Sequence, residues 1–232
     1  MESEILLVDK PKGITSFDVI RRLRRQYSLH NDGEKAPKLG HAGTLDPLAT
    51  GLMVLGVGKG TKLLTELTKL DKEYVAHVRL GERRTTGDLE GEVMEEKSVE
   101  ESADILRSKV TAALLQMIGE ITLPVSAYSA IKVDGVAMYK KARKAEAKGE
   151  LVTEVPVREM KVYEAELLSF VVGDNRAVAE VRFAVGSGTY IRSLAEELGK
   201  QVGYPATLQD LRRTKVGDYD IQNAQEIGSV FK

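Results

Sequence analysis

The sequence contains no cysteine. Disulfides and thiolate metal sites are therefore excluded, and the chain reads as intracellular. It has no stretch near the ~20 consecutive apolar residues that span a bilayer. The acidic start, Met1-Glu2-Ser3-Glu4, leads into no signal-peptide pattern, so the expected setting is the cytoplasm, with no membrane partner. Histidine is scarce: His30, His41 and His77 have no metal-ligand spacing. Internal repeats and low-complexity segments are missing too.

Familiar nucleotide and nucleophile motifs also fail. In Gly56-Val57-Gly58-Lys59-Gly60 the lysine is followed by glycine rather than Ser or Thr, and no glycine stands five residues before Gly58. Thr61 occupies the place of the third glycine of a dinucleotide fingerprint. Gly186-Ser187-Gly188 is one residue too tight for a nucleophile elbow.

What is there is a chain of 232 residues, 42% hydrophobic, enough for one large domain or one domain with an insertion. Lysine and arginine (34) nearly cancel aspartate and glutamate (35), for a net charge of −1. That balance hides a separation. Between Asp88 and Asp104 lie eight acids and one base, Lys97, leaving 33 bases against 27 acids elsewhere. The bases cluster at Arg21-Arg22-Leu23-Arg24-Arg25, Lys140-Lys141-Ala142-Arg143-Lys144 and Arg212-Arg213. One such run is ordinarily a solvated helix face. Locally basic faces can nonetheless bind a nucleic-acid backbone despite neutral totals.

Periodicity predicts a strand over 4–9, then a turn at Lys10-Pro11-Lys12-Gly13. Thr15-Ser16-Phe17-Asp18 fits a capping box ahead of Val19, Ile20, Leu23 and Tyr27 at helical spacing. A loop over 31–38, a buried strand over 52–57 and a short helix over 61–70 follow. Residues 74–80 alternate as a half-buried strand, and 105–118 form an amphipathic helix closed by Gly119. Residues of about 123–154 read as an inserted, mobile arm with a basic helix over 136–148 and Gly149 as its C-cap. Two long strands, 155–172 and 177–185, flank a turn at Gly173-Asp174-Asn175, and a helix over 189–202 stops at Gly203. Without strict βαβ alternation, the expected class is α+β around an antiparallel or mixed sheet.

The chemistry-bearing stretch is Gly40-His41-Ala42-Gly43-Thr44-Leu45-Asp46-Pro47-Leu48-Ala49-Thr50-Gly51. Asp46 is its only carboxylate, and Pro47 biases it toward an extended or turn conformation. Flanking glycines allow close approach of a bulky partner. Such an aspartate can be a covalent nucleophile or a general base, although an arbitrary Asp-Pro more often caps a turn. A semi-buried carboxylate needs a cation to stay ionised. Gly186-Ser187-Gly188-Thr189-Tyr190-Ile191-Arg192-Ser193 offers Arg192, whose alternative reading is a surface residue in a first helical turn, where positive charge is mildly unfavourable.

The stretch 40–51 resembles the signature loop of the TruB family of tRNA pseudouridine 55 synthases. Collinear likenesses support it: Lys10 to Ser16, Asp71 to Gly81, Tyr128 to Arg143, "GTYIRSLAEELG" and "LRRTKVG". The resemblance implies a pseudouridine synthase fold, a mixed, mostly antiparallel sheet flanked by helices, in one catalytic domain over 1–232 with a thumb at about 123–154. It implies Asp46 as the catalytic aspartate, Tyr74 as the tyrosine stacking on the target base, and Arg192 as the arginine pairing with the aspartate. His41, Lys62, Asp88, Tyr190 and Leu211 fall on substrate-binding positions. Lys10, Lys132, Lys140, Lys141, Arg143 and Lys144 are expected on the RNA backbone. The implied partner is the T-stem-loop of tRNA, met by a monomer with no metal and no nucleotide cofactor.

Departures are expected as well. The chain stops at Lys232, where many relatives continue into a PUA-type RNA-binding domain. Around Pro124 the family tends to have glutamine and paired prolines, whereas Leu123, Val125 and Ser126 stand here, so the thumb base is expected to differ. Two other readings are a silent RNA-binding protein using the same surface and a guide-dependent catalytic subunit.

Overall fold

Thr15 caps the first helix, and both halves of the capping box form: its hydroxyl accepts from the Asp18 N–H at 3.1 Å, while the Asp18 carboxylate accepts from the Thr15 N–H at 2.9 Å. The helix follows because Val19, Ile20 and Leu23 recur on one buried side while the arginines between them stay exposed. This is a computed structural model, described over residues 4–230 except 130, 151 and 153. The acidic amino terminus 1–3, three positions of the expected arm or its ends and the last two residues lie outside the described residues.

In chain order the elements are β1 (Glu4–Lys10), α1 (Ser16–His30), β2 (Leu39–His41), β3 (Thr50–Val57), a 3-10 turn (Gly58–Leu63), α2 (Leu64–Thr68), β4 (Lys72–Leu80), β5 (Glu82–Arg84) and β6 (Val93–Glu96). Then come α3 (Ala103–Gln116), β7 (Gly119–Pro124), β8 (Lys132–Val133), β9 (Val136–Ala137), α4 (Met138–Glu146), β10 (Val157–Gly173) and β11 (Arg176–Val185). The chain closes with α5 (Ile191–Val202), β12 (Ala206–Val216), β13 (Tyr219–Asp220) and β14 (Gln225–Glu226). The main sheet runs β14-β1-β3-β12-β4-β11-β10-β7, with β13 beside β12 and β2 beside β3. It is mixed: β1 with β3 and β10 with β7 are antiparallel, whereas β3 with β12 and β1 with β14 are parallel. This is the α+β architecture expected.

The chain divides into two compact units, one made of residues 1–75, 182–187 and 210–232, the other of 76–181 and 188–209. In the first, β3 is buried along almost its whole length, which is why its sequence is a continuous apolar run rather than an alternation. Ala42, Leu52, Val54 and Val216 form a buried cluster on which Ile5, Leu7, Leu64, Leu67 and Tyr219 pack. In the second, α3 packs on β10 and α5 on β7, burying Leu106, Val110, Leu114, Leu194 and Leu198.

Several boundaries differ from expectation. The single helix over 61–70 is a 3-10 turn followed by one turn of α-helix. The arm's helix begins at Met138, because 132–137 first form a two-stranded hairpin about Asp134-Gly135, both at positive φ. Strand β12, eleven residues long, was not anticipated at all.

Candidate active site

In the first unit, the signature loop is built on β2 and β3. Their antiparallel pairing puts His41 opposite Leu55, and the Ala42 N–H donates to the Val54 carbonyl at 2.9 Å. Four groups then fix the segment carrying Asp46. The Ser16 hydroxyl donates to the Leu45 carbonyl at 3.0 Å and accepts from the Leu45 N–H at 2.8 Å. The Gly13 N–H donates to the Pro47 carbonyl at 2.8 Å, and the Ala49 N–H closes a turn on the Asp46 carbonyl at 3.1 Å. The Lys10 ammonium donates to the carbonyls of Pro11, Pro47 and Ala49. Asp46 is thus half-buried on a turn whose neighbours on both sides are pinned.

The position of Lys10 corrects an expectation. It was expected on an RNA backbone, but it is 0% exposed, and its charge is spent on loop carbonyls. A lysine ending a strand before a proline looks solvent-facing in sequence. Only the folded loop, which converges three carbonyls on one point, explains its burial.

Arg213 on β12 was missed by sequence reasoning. It is 1% exposed, donates Nε to the Leu52 carbonyl at 2.7 Å and Nη2 to the Gly43 carbonyl at 3.3 Å, and so clamps the loop's two ends. Its positive charge is felt nearby. Burial, then the charge of Arg213, hold His41 below the ordinary histidine value. His41 is therefore neutral at pH 7. Lys72 is pulled down to about 8 by burial and then by Arg213; its ammonium donates to the Thr68 carbonyl at 2.6 Å and the Ser187 hydroxyl at 3.3 Å. Strand alternation places Lys72 on the same face of β4 as Tyr74, which is 8% exposed. Leu211 is buried on β12, its carbonyl accepting from the Thr50 hydroxyl at 3.4 Å. Lys62 is exposed on the 3-10 turn.

In the second unit, Arg192 lies in the first turn of α5 but is 6% exposed, which removes the surface reading. Its Nη1 donates to the Thr86 carbonyl at 2.9 Å and the Ser126 hydroxyl at 3.2 Å, and Nη2 to the Tyr128 carbonyl at 3.4 Å. Asp88, 3% exposed, stands 3.8 Å from Nη1 and is itself held by the Thr86 hydroxyl at 2.6 Å and the Glu90 N–H at 3.1 Å. Gly87, between them, lets the turn close on α5: a Cβ there would meet Glu196 and Arg192 at 3.2 and 3.4 Å. Tyr190 is half-buried at the start of α5. The arm leaves the unit where the Val125 N–H donates to the Pro156 carbonyl at 2.9 Å, and carries Lys132, Lys140, Arg143 and Lys144 exposed on its surface. Lys141 pairs with Asp134 at 3.1 Å. Thus Asp46, His41, Tyr74, Lys62 and Leu211 belong to the first unit, and Asp88, Tyr190, Arg192 and the arm to the second. Among the described residues no three His, Asp or Glu side chains gather as a metal site.

Residues 30–191 match the family described as TruB family pseudouridylate synthase (N terminal domain). The chain is 43% identical over 228 residues to the tRNA pseudouridine synthase B of Leifsonia xyli subsp. xyli, covering 98% of this chain and 72% of that protein. Identity to the same-named protein of Corynebacterium diphtheriae is 40% (96% and 70% covered) and to that of Thermobifida fusca 41% (97% and 73%). This chain belongs to the TruB family of pseudouridylate synthases. Among solved structures, a chain of a Cbf5-Nop10-Gar1 complex superposes with a TM-score of 0.66 at 23% identity, covering 98% of this chain and 53% of that one. A chain of an H/ACA RNP bound to a substrate RNA containing 2'-deoxyuridine gives 0.64 at 24%, with 98% and 52% covered. At those identities the likeness establishes a shared pseudouridine synthase fold. This chain spans about half the length of both.

Proposed function

We propose that this chain converts the T-loop uridine at position 55 of tRNA to pseudouridine, acting alone, as a monomer in the cytoplasm. The observation that carries the reading is the Asp46 turn: a single carboxylate on backbone pinned from Ser16, Gly13 and Lys10, in a chain of this family. Names of 40–43% identical relatives support tRNA as the substrate.

The chemistry needs little else. The bond between N1 of uracil and C1′ of ribose breaks, the same base turns, and C5 bonds to C1′. The C5 hydrogen leaves as a proton and N1 gains one, so nothing is oxidised and no group is imported. The base must leave its stack, as in other enzymes that act on bases. In the proposal Asp46 supplies the carboxylate, by attack at C1′, attack at C6 or removal of a ribose proton. Tyr74 offers an aromatic face to the uracil, Arg192 the guanidinium the family resemblance assigns to the carboxylate, and Asp88 and Leu211 further contacts to the base. Neutral His41 serves as a hydrogen-bonding group beside the flipped nucleotide rather than as a cation. The arm's bases meet phosphates of the T-arm, a shape-based mode of RNA recognition.

The test is incubation of the purified chain with unmodified tRNA transcript alone, followed by site mapping of pseudouridine. Modification at the T-loop uridine, lost in Asp46→Asn while tRNA is still bound, is the expected result. Binding without product overturns the enzymatic reading, and product only with an added guide RNA overturns the stand-alone one.

A further inference from the structure

The Arg192 guanidinium is gripped by the root of the arm. Nη1 donates to the Ser126 hydroxyl oxygen at 3.2 Å, and Nη2 to the Tyr128 carbonyl at 3.4 Å. The Ser126 hydroxyl donates its own proton to the Thr86 carbonyl at 3.1 Å and accepts from the Tyr128 N–H at 3.2 Å. A hydroxyl has one proton to give. With that proton on Thr86, the oxygen facing Arg192 is left as an acceptor.

Asp88 and Ser126 act on Arg192 differently. At 3.8 Å, Asp88 balances the charge but lies beyond hydrogen-bond range, so it does not fix the plane of the guanidinium. The acceptors at Thr86, Ser126 and Tyr128 do. Two of those three come from the arm's root, and from there the connection runs outward. The start of α4 is tied back to this root, because the Tyr139 N–H donates to the Ser129 carbonyl at 3.0 Å and the Met138 N–H to the Ile131 carbonyl at 2.7 Å. The basic helix and the buried arginine are thereby joined through the arm's root, with Ser126 at its inner end.

We propose that Ser126 is a positioning residue that sets the orientation of Arg192 according to where the arm lies, so that engagement of RNA by the arm is felt at the guanidinium. This rests on the reading of Arg192 as part of the catalytic machinery.

The experiment compares the intact chain with Ser126→Ala and Ser126→Thr in single-turnover assays on tRNA transcript, alongside tRNA affinity and melting temperature. Ser126→Ala removes a charge-assisted hydrogen bond, so its single-turnover rate is expected to fall on the order of tenfold or more, with affinity unchanged and melting temperature lowered by no more than such a bond costs. Ser126→Thr keeps the hydroxyl and should keep the rate. A Ser126→Ala rate within about twofold of the intact chain overturns the proposal, as does a loss that threonine fails to restore. NMR of the labelled Arg192 guanidinium supplies an independent reading. Faster rotation and exchange in Ser126→Ala support positioning, and unchanged exchange overturns it. That measurement answers even where the intact chain forms no pseudouridine, in which case the proposed function fails and the positioning role stands or falls separately.

Discussion

The Lys10 ammonium sits on the Ala49 carbonyl, 39 residues along the chain, with no part of the lysine exposed. A side chain from the end of β1 thus secures the exit of the loop that presents Asp46. Lys10→Met is expected to leave the Pro47 and Ala49 carbonyls unpaired and cost about 2 kcal/mol or more of stability. Denaturant unfolding measures this. A residue on the RNA backbone would instead change the salt dependence of tRNA binding, and no such change is expected. A reduced salt slope with unaltered stability would return Lys10 to the RNA.

Gly51 makes a second prediction. Its φ is +105°, and a Cβ there would fall against the Arg213 carbonyl oxygen and lie 2.8 Å from its nitrogen, backbone atoms of the neighbouring strand. Gly51→Ala therefore combines a strained dihedral with a clash that β3 and β12 cannot relieve, and should cost more than about 3 kcal/mol. Gly13→Ala provides the comparison. Its φ is +84°, but open space surrounds it, so only the dihedral is penalised, at about 1 to 2 kcal/mol. Equal losses by urea titration would show that the approach to Arg213 is not what selects glycine at 51.

Lys72 links the buried charge to pH. Its folded pKa is about 8 against an ordinary 10.5. Between those values the unfolded chain holds a proton that the folded chain has released, so stability from this group rises with pH. Below 8 both states are protonated and the folded state bears the full penalty of the buried charge. Comparison with Lys72→Met isolates the effect: the intact chain should gain on the variant from pH 8 to 10.5, with the difference flat below about 7.5. A flat difference throughout would mean that the lysine titrates normally.

Local signals were legible where neighbours in sequence are neighbours in space. The capping box at Thr15 and Asp18, the alternation over 74–80 and the turn at Asn175 (φ +60°) all appear as read. Ends moved by a residue or two, as at α3 and α5. What escaped was long-range. β12 carries Arg212 and Arg213 in succession, which reads as surface, yet only Arg213 is buried, against the Leu52 carbonyl of the neighbouring strand and the Gly43 carbonyl of the loop before it. Burial of such a cation depends on carbonyls brought from residues some 160 positions away, and no window of sequence contains them. Asp88 was marked only by the family resemblance; composition alone shows it as the head of an acidic run whose later members are mostly exposed, and gives no sign of its burial.

The arm yields the last prediction, and the structure changes its arithmetic. Four bases were grouped together, but Lys141 is half-buried and paired with Asp134 at 3.1 Å, whereas Lys140, Arg143 and Lys144 are exposed. Each phosphate met by a cation releases counterions, contributing about 0.7 to 0.9 to the slope of log affinity against log salt. Alanine at Lys140, Arg143 and Lys144 should therefore weaken tRNA binding and flatten that slope by about 2 to 3. Lys141→Ala alone should change it little, because that charge is already balanced by its aspartate. Filter binding across a salt series measures both. If the triple variant keeps the full slope, the arm does not meet the RNA backbone, and the exposed bases are only a solvated helix face.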